Sequence, residues 1–234
     1  MVSPRFVLLH SPLMGPLTWQ AVAAELRRRG HAAIAPAWPR LSTVGEGFYE
    51  TLSRGLAAQL WDDPEPLILV AHSGAGGLVG PLENWLATVK GTIFVDAIMQ
   101  HPRRSWFDTA PAAMRDQLRN GAQMGELPTW DEWWPPGALE KLMPDDGLRA
   151  AVTAELEPLP LAFFEEPAPS DVYMGPAAYL QLSGAYDDES ELAGRYGWPR
   201  VRLPLHHLAM LTTPEPVAAA IESLAARLAE PGDG

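Results

Sequence analysis

Short apolar runs alternate along the chain with stretches whose apolar positions recur every three or four residues. The apolar runs predict strands at residues 6–10, 32–35, 67–71, 92–95, 178–182 and 201–203. The helical periodicity predicts helices with Trp19, Val22, Ala23 and Leu26 on one face, with Phe48, Leu52, Leu56 and Leu60 at four-residue spacing, over residues 74–86, and after Thr213. Strands that alternate with helices in this way predict an α/β fold.

The expected architecture is a doubly wound, mostly parallel sheet with helices on both faces, in which ligands bind beyond the carboxyl ends of the strands. Residues 1–100 and 176–234 carry the alternating pattern and are expected to form this core. The pattern breaks down in residues 101–175, which are rich in Pro, Trp, Phe and Met and predict an inserted helical lid. The alternative is a second small core with no role in binding, because aromatic clusters are more often core than pocket.

The composition narrows the possible functions. The 234 residues have a formal net charge of −12 and include no cysteine. An acidic protein repels phosphate backbones and anionic membrane surfaces, so no nucleic-acid or membrane partner is expected. Disulfides and thiolate metal sites are excluded by the absence of cysteine. The chain lacks a recognisable signal segment and any apolar stretch of bilayer-spanning length, and a cytoplasmic location is therefore expected.

The strand predicted at residues 67–71 runs into His72 and Ser73, and small residues surround the serine. A serine at an abrupt strand-to-helix turn adopts a strained conformation that only small neighbours tolerate. The turn lifts the hydroxyl above the sheet at a helix N-terminus, where developing negative charge is stabilised. We interpret Ser73 as a nucleophile; the alternative is a simple helix N-cap, which needs no glycines around it.

A serine nucleophile needs a base and an acid that orients the base. His207 lies in the loop between the last strand and the final helix, at the edge of the sheet expected for Ser73, with His206 as the fallback. Asp187 follows the strand at residues 178–182 and is the chosen acid, with Asp188 in reserve and Asp96 as a competing position. Adjacent histidines diverge and no carboxylate or cysteine cluster accompanies them, so a metal site is not expected here.

The order Ser73, Asp187, His207 is the nucleophile, acid, base order of the α/β-hydrolase superfamily. The chain resembles the small-esterase and hydroxynitrile-lyase branch of that superfamily over nearly all of its length outside residues 101–175. The resemblance is carried by residues 7–10, Gly15, Trp19, residues 71–77, residues 94–99 and residues 207–211. It implies a lid inserted after the strand that ends at Asp96, and a Ser-Asp-His triad that works without a cofactor.

The loop after the first strand departs from the family pattern. In hydrolases that resemble this chain, the histidine of that loop is followed by glycine and then by a residue whose amide forms half of the oxyanion hole. Ser11 and Pro12 stand there instead, and proline has no amide hydrogen to donate. The Gly74 amide remains, and the second donor is expected from Leu13 or from the Ser11 backbone or hydroxyl. Hydroxynitrile lyases carry threonine at the Ser11 position but lysine after the base, where this chain has Leu208, so cyanohydrin cleavage is disfavoured.

These residues predict a serine hydrolase that cleaves an ester or thioester of a small apolar or aromatic acyl substrate through an acyl-enzyme. Six aromatic residues of the lid are candidates to line its pocket: Trp106, Trp130, Trp133, Trp134, Phe163 and Phe164. Two alternatives stay open. One is a cofactor-free lyase, isomerase or cyclase that uses His207 as a proton shuttle. The other is a ligand receptor that keeps the triad geometry and signals through lid movement.

Overall fold

A computed structural model describes residues 4–60 and 65–229. The strands in this part of the chain are β1 Arg5–Leu9, β2 Ala33–Ile34, β3 Leu67–Ser73, β4 Val89–Ala97, β5 Glu126–Leu127, β6 Leu159–Pro160, β7 Ala177–Gln181 and β8 Arg200–Arg202. Six of these described strands form one parallel sheet in the order β2-β1-β3-β4-β7-β8. The doubly wound parallel sheet expected from the sequence is confirmed.

Helices cover both faces of the sheet. The α-helices of the described residues are α1 Leu17–Arg28, α2 Phe48–Ala58, α3 Val79–Glu83, α4 Trp106–Thr109, α5 Ala112–Gly121, α6 Ala138–Leu142, α7 Asp146–Thr153, α8 Leu161–Glu165, α9 Asp187–Arg195, α10 Ala209–Thr212 and α11 Pro214–Ala229. No helix in residues 4–60 and 65–229 is both long and apolar enough to cross a membrane.

The strands are apolar on both sides because each side is buried. In β1, Phe6 and Leu8 pack into the layer of α1, α10 and α11, whereas Val7 and Leu9 pack into the layer of α2 and α3. Successive side chains of a strand point to opposite faces, so a continuous apolar run fills two cores at once. This double burial fixes the register of the sheet, and with it the positions of the loops at its carboxyl edge.

The chain reverses direction across the sheet between β1 and β3. From β1 it proceeds outward to β2, and then returns to place β3 on the other side of β1. Loops that follow two such neighbouring strands diverge and leave a crevice, which is where open α/β sheets bind ligands. The loop that starts at His10 and the turn at Ser73 therefore flank the same crevice.

The inserted segment between β4 and β7 contains α4 to α8 and an antiparallel ladder of β5 with β6. Its aromatic residues mostly form a core rather than the wall of an open pocket. Phe164 is fully buried. Its ring centroid lies 5.1–5.8 Å from those of Trp106, Phe107, Trp133 and Phe163. These residues are continuous with the core on the α2 face of the sheet, where the Phe163 ring centroid lies 5.7 Å from that of Phe48, whereas Trp134 is 40% exposed.

Three carboxylates of the inserted segment cap helices of the sheet domain. At the start of α1, Glu155 Oε2 accepts from the Leu17 amide at 2.9 Å. At the start of a 3-10 helix, Leu41–Thr43, Glu157 Oε1 accepts from the Leu41 amide at 2.8 Å. At the start of α2, Glu166 accepts from the Phe48 and Tyr49 amides at 3.0 and 3.2 Å. The residues at the N-cap positions of these helices make no side-chain cap of their own. Because the first amides of a helix lack partners within it, these carboxylates satisfy them and tie the insertion to the core.

Candidate active site

Ser73 lies at the end of β3 with a backbone that few residues adopt, φ 54° and ψ −124°. The chain continues from it into a 3-10 helix, Gly74–Leu78, and then into α3, where the sequence predicts a single helix. A side chain at Gly76 would overlap the carbonyl oxygen of Ile98, so only glycine fits there. The strained turn with small neighbours that was predicted for Ser73 is therefore present.

The carboxylate that meets the His207 imidazole is Asp96, at the end of β4. Asp96 is fully buried, and its Oδ2 lies 3.2 Å from His207 Nδ1. Its Oδ1 accepts hydrogen bonds from the amides of Leu182 and Ser183 at 2.6 and 3.2 Å, and the Ser183 hydroxyl donates to Oδ2 at 2.6 Å. Each of these donors fixes the carboxylate, so the acid holds the ring in one orientation with Nδ1 toward it.

The expectation that Asp187 orients His207 is wrong. Asp187 begins α9, where an acidic side chain is favoured by the helix dipole, and its side chain is 54% exposed. Its carboxylate accepts a hydrogen bond from Gln181 and lies 3.4 Å from the Arg202 guanidinium. Asp188, the reserve choice, is exposed in the same helical turn. Of the three acids considered, only Asp96 reaches the imidazole.

His207 is held between two rings. Its centroid lies 4.5 Å from that of His72 and 5.0 Å from that of Tyr186, and the Tyr186 ring is nearly parallel to it at 11°. His72 Nε2 lies 3.1 Å from the His207 carbonyl oxygen. Burial lowers the pKa of His72 well below its usual range, so the neutral ring donates this hydrogen bond. His206 instead contacts the Thr212 hydroxyl at 3.1 Å.

Tyr186 is the site residue that the sequence reasoning missed. Its hydroxyl lies 3.3 Å from Ser73 Oγ. Within residues 4–60 and 65–229, no hydrogen bond joins Ser73 to the His207 ring, and Nε2 of that ring has no partner. Tyr186 precedes Asp187 in the loop after β7, at the edge of the sheet that Ser73 occupies. This position at the carboxyl edge of the sheet could have marked Tyr186 as a candidate, but the search there was for an acid, and the three acidic residues that follow it were considered instead.

The Ser11 hydroxyl lies against the turn at Ser73. A Cβ atom built on Gly74 would stand 3.2 Å from Ser11 Oγ and 3.5 Å from Pro12 Cδ. Ser11 Oγ accepts a hydrogen bond from the Leu13 amide at 3.3 Å, so that amide is already engaged. The hydroxyl hydrogen of Ser11 remains to be donated elsewhere. Of the donors considered for the second half of an oxyanion hole, the Ser11 hydroxyl fits this geometry better than the Leu13 amide.

His10 supports the loop that carries Ser11. Its Nδ1 lies 2.8 Å from the Ser11 carbonyl oxygen, and its own carbonyl oxygen accepts a hydrogen bond from Trp38 Nε1 at 2.7 Å. Burial lowers the pKa of His10 to about 4, and the ring is therefore neutral at neutral pH. These contacts make His10 a structural support of the loop.

A surface cleft lies away from Ser73, and the described residues were also searched for a metal site. A cleft of about 610 Å³ on the inserted segment is lined by Trp134, Leu139, Arg149 and neighbouring residues, and by none of the groups around Ser73. In the part of the chain that the structure describes, no three His, Asp or Glu side chains come together in a way that could hold a metal ion.

Comparison with known proteins identifies the family. A model described as the alpha/beta hydrolase family matches residues 6–220. The chain belongs to the alpha/beta hydrolase family. No curated protein sequence matches it.

Solved structures of family members share the fold at low sequence identity. One is an extracellular alpha/beta-hydrolase from a Paenibacillus species, described as sharing structural and functional homology with tobacco Salicylic Acid Binding Protein 2. It superposes with a TM-score of 0.76 at 19% sequence identity, over 95% of this chain and 99% of that chain. A pyrethroid hydrolase from Sphingobium faniae JZ-2 gives 0.69 at 20% identity, over 95% and 97% of the two chains. Tomato Methylketone Synthase I, complexed with 2-tridecanone, gives 0.70 at 17% identity, over 97% and 100%.

Proposed function

We propose that this alpha/beta hydrolase is a serine hydrolase that cleaves an ester or thioester through a Ser73 acyl-enzyme. The observation that carries the proposal is the convergence at one edge of the sheet of a strained serine, a buried Asp96–His207 pair and the Ser11 hydroxyl. These groups supply the nucleophile, the oriented base and an oxyanion donor that acyl transfer requires.

The roles follow from the contacts. Asp96 holds a hydrogen on His207 Nδ1, which leaves the lone pair of Nε2 free to take the Ser73 proton. Ser73 Oγ then attacks the carbonyl carbon, and the resulting oxyanion accepts hydrogen bonds from the Gly74 amide and the Ser11 hydroxyl. The imidazolium returns its proton to the leaving alcohol or thiol. Water, deprotonated by His207, hydrolyses the acyl-enzyme and releases Ser73.

The first step requires the Ser73 hydroxyl to move to His207 Nε2. Its hydroxyl contacts Tyr186 at 3.3 Å in the free protein, and the ring of His207 lies alongside that of Tyr186. For the proton to be transferred, the Ser73 hydroxyl has to exchange its contact with Tyr186 for one with Nε2. Catalytic hydrogen bonds are often long or misaligned in free enzymes and shorten when substrate binds.

The proposed acyl group is small and apolar or aromatic. Side chains in hydrogen-bond or ring contact with Ser73 and His207 include no lysine or arginine among the described residues. The buried imidazoles of His10 and His72 are neutral, because burial lowers the pKa of each. A surrounding that offers no cationic side chain favours an uncharged acyl substrate over a phosphate or a dicarboxylate.

A fluorophosphonate probe tests the proposal, because it phosphonylates only an activated serine. We expect stoichiometric labelling of the wild-type protein, with the adduct mapped to Ser73 by peptide mass spectrometry. Ser73→Ala is expected to abolish both labelling and ester hydrolysis. Ser42→Ala is the matched control, because Ser42 is an exposed serine that contacts Glu157. Absence of labelling at Ser73 in a folded protein rejects the proposal.

A second candidate is a cofactor-free lyase, isomerase or cyclase that moves a proton with His207 and forms no acyl-enzyme. The contact of the Ser73 hydroxyl with Tyr186 rather than His207 favours it, since both hydroxyls are then poised to bind an oxygen atom of a substrate. Mass spectrometry during turnover of an ester separates the two candidates. An acyl adduct on Ser73 supports the hydrolase and excludes this alternative for that substrate.

A further inference from the structure

Tyr186 lies against both groups that carry the proposed reaction. Its hydroxyl is 3.3 Å from Ser73 Oγ, and its ring stacks on His207 with centroids 5.0 Å apart and planes 11° apart. We propose that Tyr186 is a further catalytic residue that donates a hydrogen bond to the departing oxygen of the ester when the acyl-enzyme forms. This inference rests on the proposed function and adds a leaving-group donor to it.

The position of the hydroxyl selects the leaving-group oxygen. Once Ser73 Oγ has attacked, the leaving oxygen is bonded to the same tetrahedral carbon and lies closer to Oγ than a hydrogen bond is long. That oxygen must face His207, because the imidazolium protonates it. A hydroxyl that contacts Oγ and belongs to a ring stacked on His207 is therefore within reach of the departing oxygen. The oxyanion faces the Gly74 amide and the Ser11 hydroxyl instead.

The hydroxyl keeps its hydrogen and therefore acts as a donor. Burial raises the pKa of Tyr186, and the carboxylates of Asp96 and Glu189 raise it further, whereas the hydrogen bond with Ser73 opposes this rise. A neutral phenol donates one hydrogen bond, and it has no need to lose its proton during the reaction.

The loop that carries Tyr186 is fixed to the triad acid. Ser183 donates to Asp96 through both its amide and its hydroxyl, and the neighbouring Leu182 amide does the same. Tyr186 stands immediately before α9, whose first residue is anchored to Gln181 and Arg202. Hydrogen bonds and an ion pair therefore hold the chain both before and after Tyr186, as a preorganised hydrogen-bond donor requires.

The step balances without any further reagent. The bond from the carbonyl carbon to the leaving oxygen breaks, and its electron pair stays on that oxygen. His207 delivers the proton that it took from Ser73, and the leaving group departs as a neutral alcohol. Tyr186 stabilises the developing charge through its O–H and is unchanged at the end.

The test measures how the rate depends on the leaving group in Tyr186→Phe, which keeps the ring stacked on His207 and removes only the hydroxyl. The substrates are a series of substituted phenyl acetates from para-nitrophenyl, a good leaving group, to para-methoxyphenyl, a poor one. We expect kcat/KM to fall by about tenfold for the poorest leaving group, the worth of one hydrogen bond, and by less than about twofold for para-nitrophenyl acetate.

Tyr196→Phe is the matched control, because Tyr196 is 60% exposed and packs on Trp198. It is expected to follow the wild-type rate across the series. The rate of fluorophosphonate labelling should be unchanged in Tyr186→Phe, since fluoride leaves without such a donor, and this shows that the triad is intact.

Three results overturn the inference. An equal loss for every leaving group assigns the hydroxyl to the oxyanion, an unchanged series removes it from catalysis, and a faster variant makes it an inhibitory contact of the free enzyme. Each of these leaves the Ser73 hydrolase standing, provided that labelling of Ser73 persists. Loss of labelling in the wild-type protein instead rejects the proposed function itself.

Discussion

Replacement of Asp96 by asparagine changes one atom of the proposed triad and has calculable consequences. The amide oxygen of asparagine can still accept from the Leu182 and Ser183 amides, as Asp96 Oδ1 does at 2.6 and 3.2 Å. In the wild-type protein, the Ser183 hydroxyl and His207 Nδ1 lie 2.6 and 3.2 Å from Asp96 Oδ2. The amide nitrogen of asparagine replaces this oxygen. The hydroxyl can turn and accept, but the imidazole must present a lone pair at Nδ1 and carry its hydrogen on Nε2.

An imidazole in that tautomer cannot take the Ser73 proton. We expect kcat for para-nitrophenyl acetate to fall by about a thousandfold to ten-thousandfold, the effect of the wrong tautomer in a serine triad. The free energy of unfolding, measured by urea denaturation, should fall by about 1.5–3 kcal/mol, because the hydrogen bonds at this buried position are no longer strengthened by the charge of a carboxylate. The fold is expected to persist, since the two backbone contacts remain.

Asp187→Asn is the matched control. The Asp187 carboxylate is half exposed and contacts only Gln181 and Arg202 among the described residues. Asparagine at this position can still accept the hydrogen bond from Gln181 that anchors the start of α9, so kcat should stay close to the wild-type value and stability should change by less than about 0.5 kcal/mol. If Asp187→Asn lost activity and Asp96→Asn retained it, the assignment of Asp96 as the acid would be refuted.

Three further predictions follow from individual contacts. Ser11→Ala should lower kcat by about a hundredfold to a thousandfold with little change in KM, as expected when one oxyanion donor is removed. Ser11→Thr keeps a hydroxyl and should retain much of the wild-type kcat, and steady-state kinetics measure kcat and KM for the two variants. Glu166→Ala uncaps α2 and should lower the free energy of unfolding by about 1–2 kcal/mol, while the exposed Glu165→Ala should not; equal urea curves for the two variants would contradict the capping role. Burial lowers the pKa of His10 from 6.5 to about 4, so between these pH values the unfolded chain binds a proton that the folded chain does not. The free energy of unfolding should therefore fall as the pH decreases from 6.5 to 4. His10→Gln should reduce this pH dependence in denaturation curves recorded across the interval.

The fold and the strained turn at Ser73 were predictable because their signals are local. Each strand of the sheet is buried on both faces, and each therefore appears as a continuous apolar run that hydropathy alone reveals. Ser73 is recognisable because a strained turn tolerates only small neighbours, and the glycines around it are visible in the sequence. His207 follows from its place between the last strand and the last helix.

The carboxylate that contacts His207 was not predictable, because the distinguishing property is burial in three dimensions. Asp96 lies at the end of β4 and Asp187 follows β7, so both stand at the carboxyl edge of the sheet. Three acidic residues in succession are equally suited to the first turn of a helix, and Asp187 begins α9. What separates the two is that the Leu182 and Ser183 amides are directed at Asp96, a contact across 86 residues of sequence.

The insertion between β4 and β7 was expected from the sequence, but its individual helices and strands were not, for a related reason. Its helices are short, and its one small ladder, of β5 with β6, pairs two-residue strands that carry no periodic pattern. Its aromatic residues pack on one another around Phe164 and on Phe48 of α2, so their burial reflects core packing and not the shape of a substrate. The lid role assigned to residues 101–175 stays a prediction.

The central claim is that Ser73 forms a covalent acyl intermediate with the help of Asp96 and His207. The most direct measurement is rapid-quench intact-protein mass spectrometry during turnover of para-nitrophenyl acetate, with the modified peptide sequenced. The account predicts one acetyl group on Ser73 in the wild-type protein, formed in a burst, and none in His207→Ala on the same time scale. Turnover at the wild-type rate without any adduct on Ser73, or with the acetyl group on another residue, would contradict it.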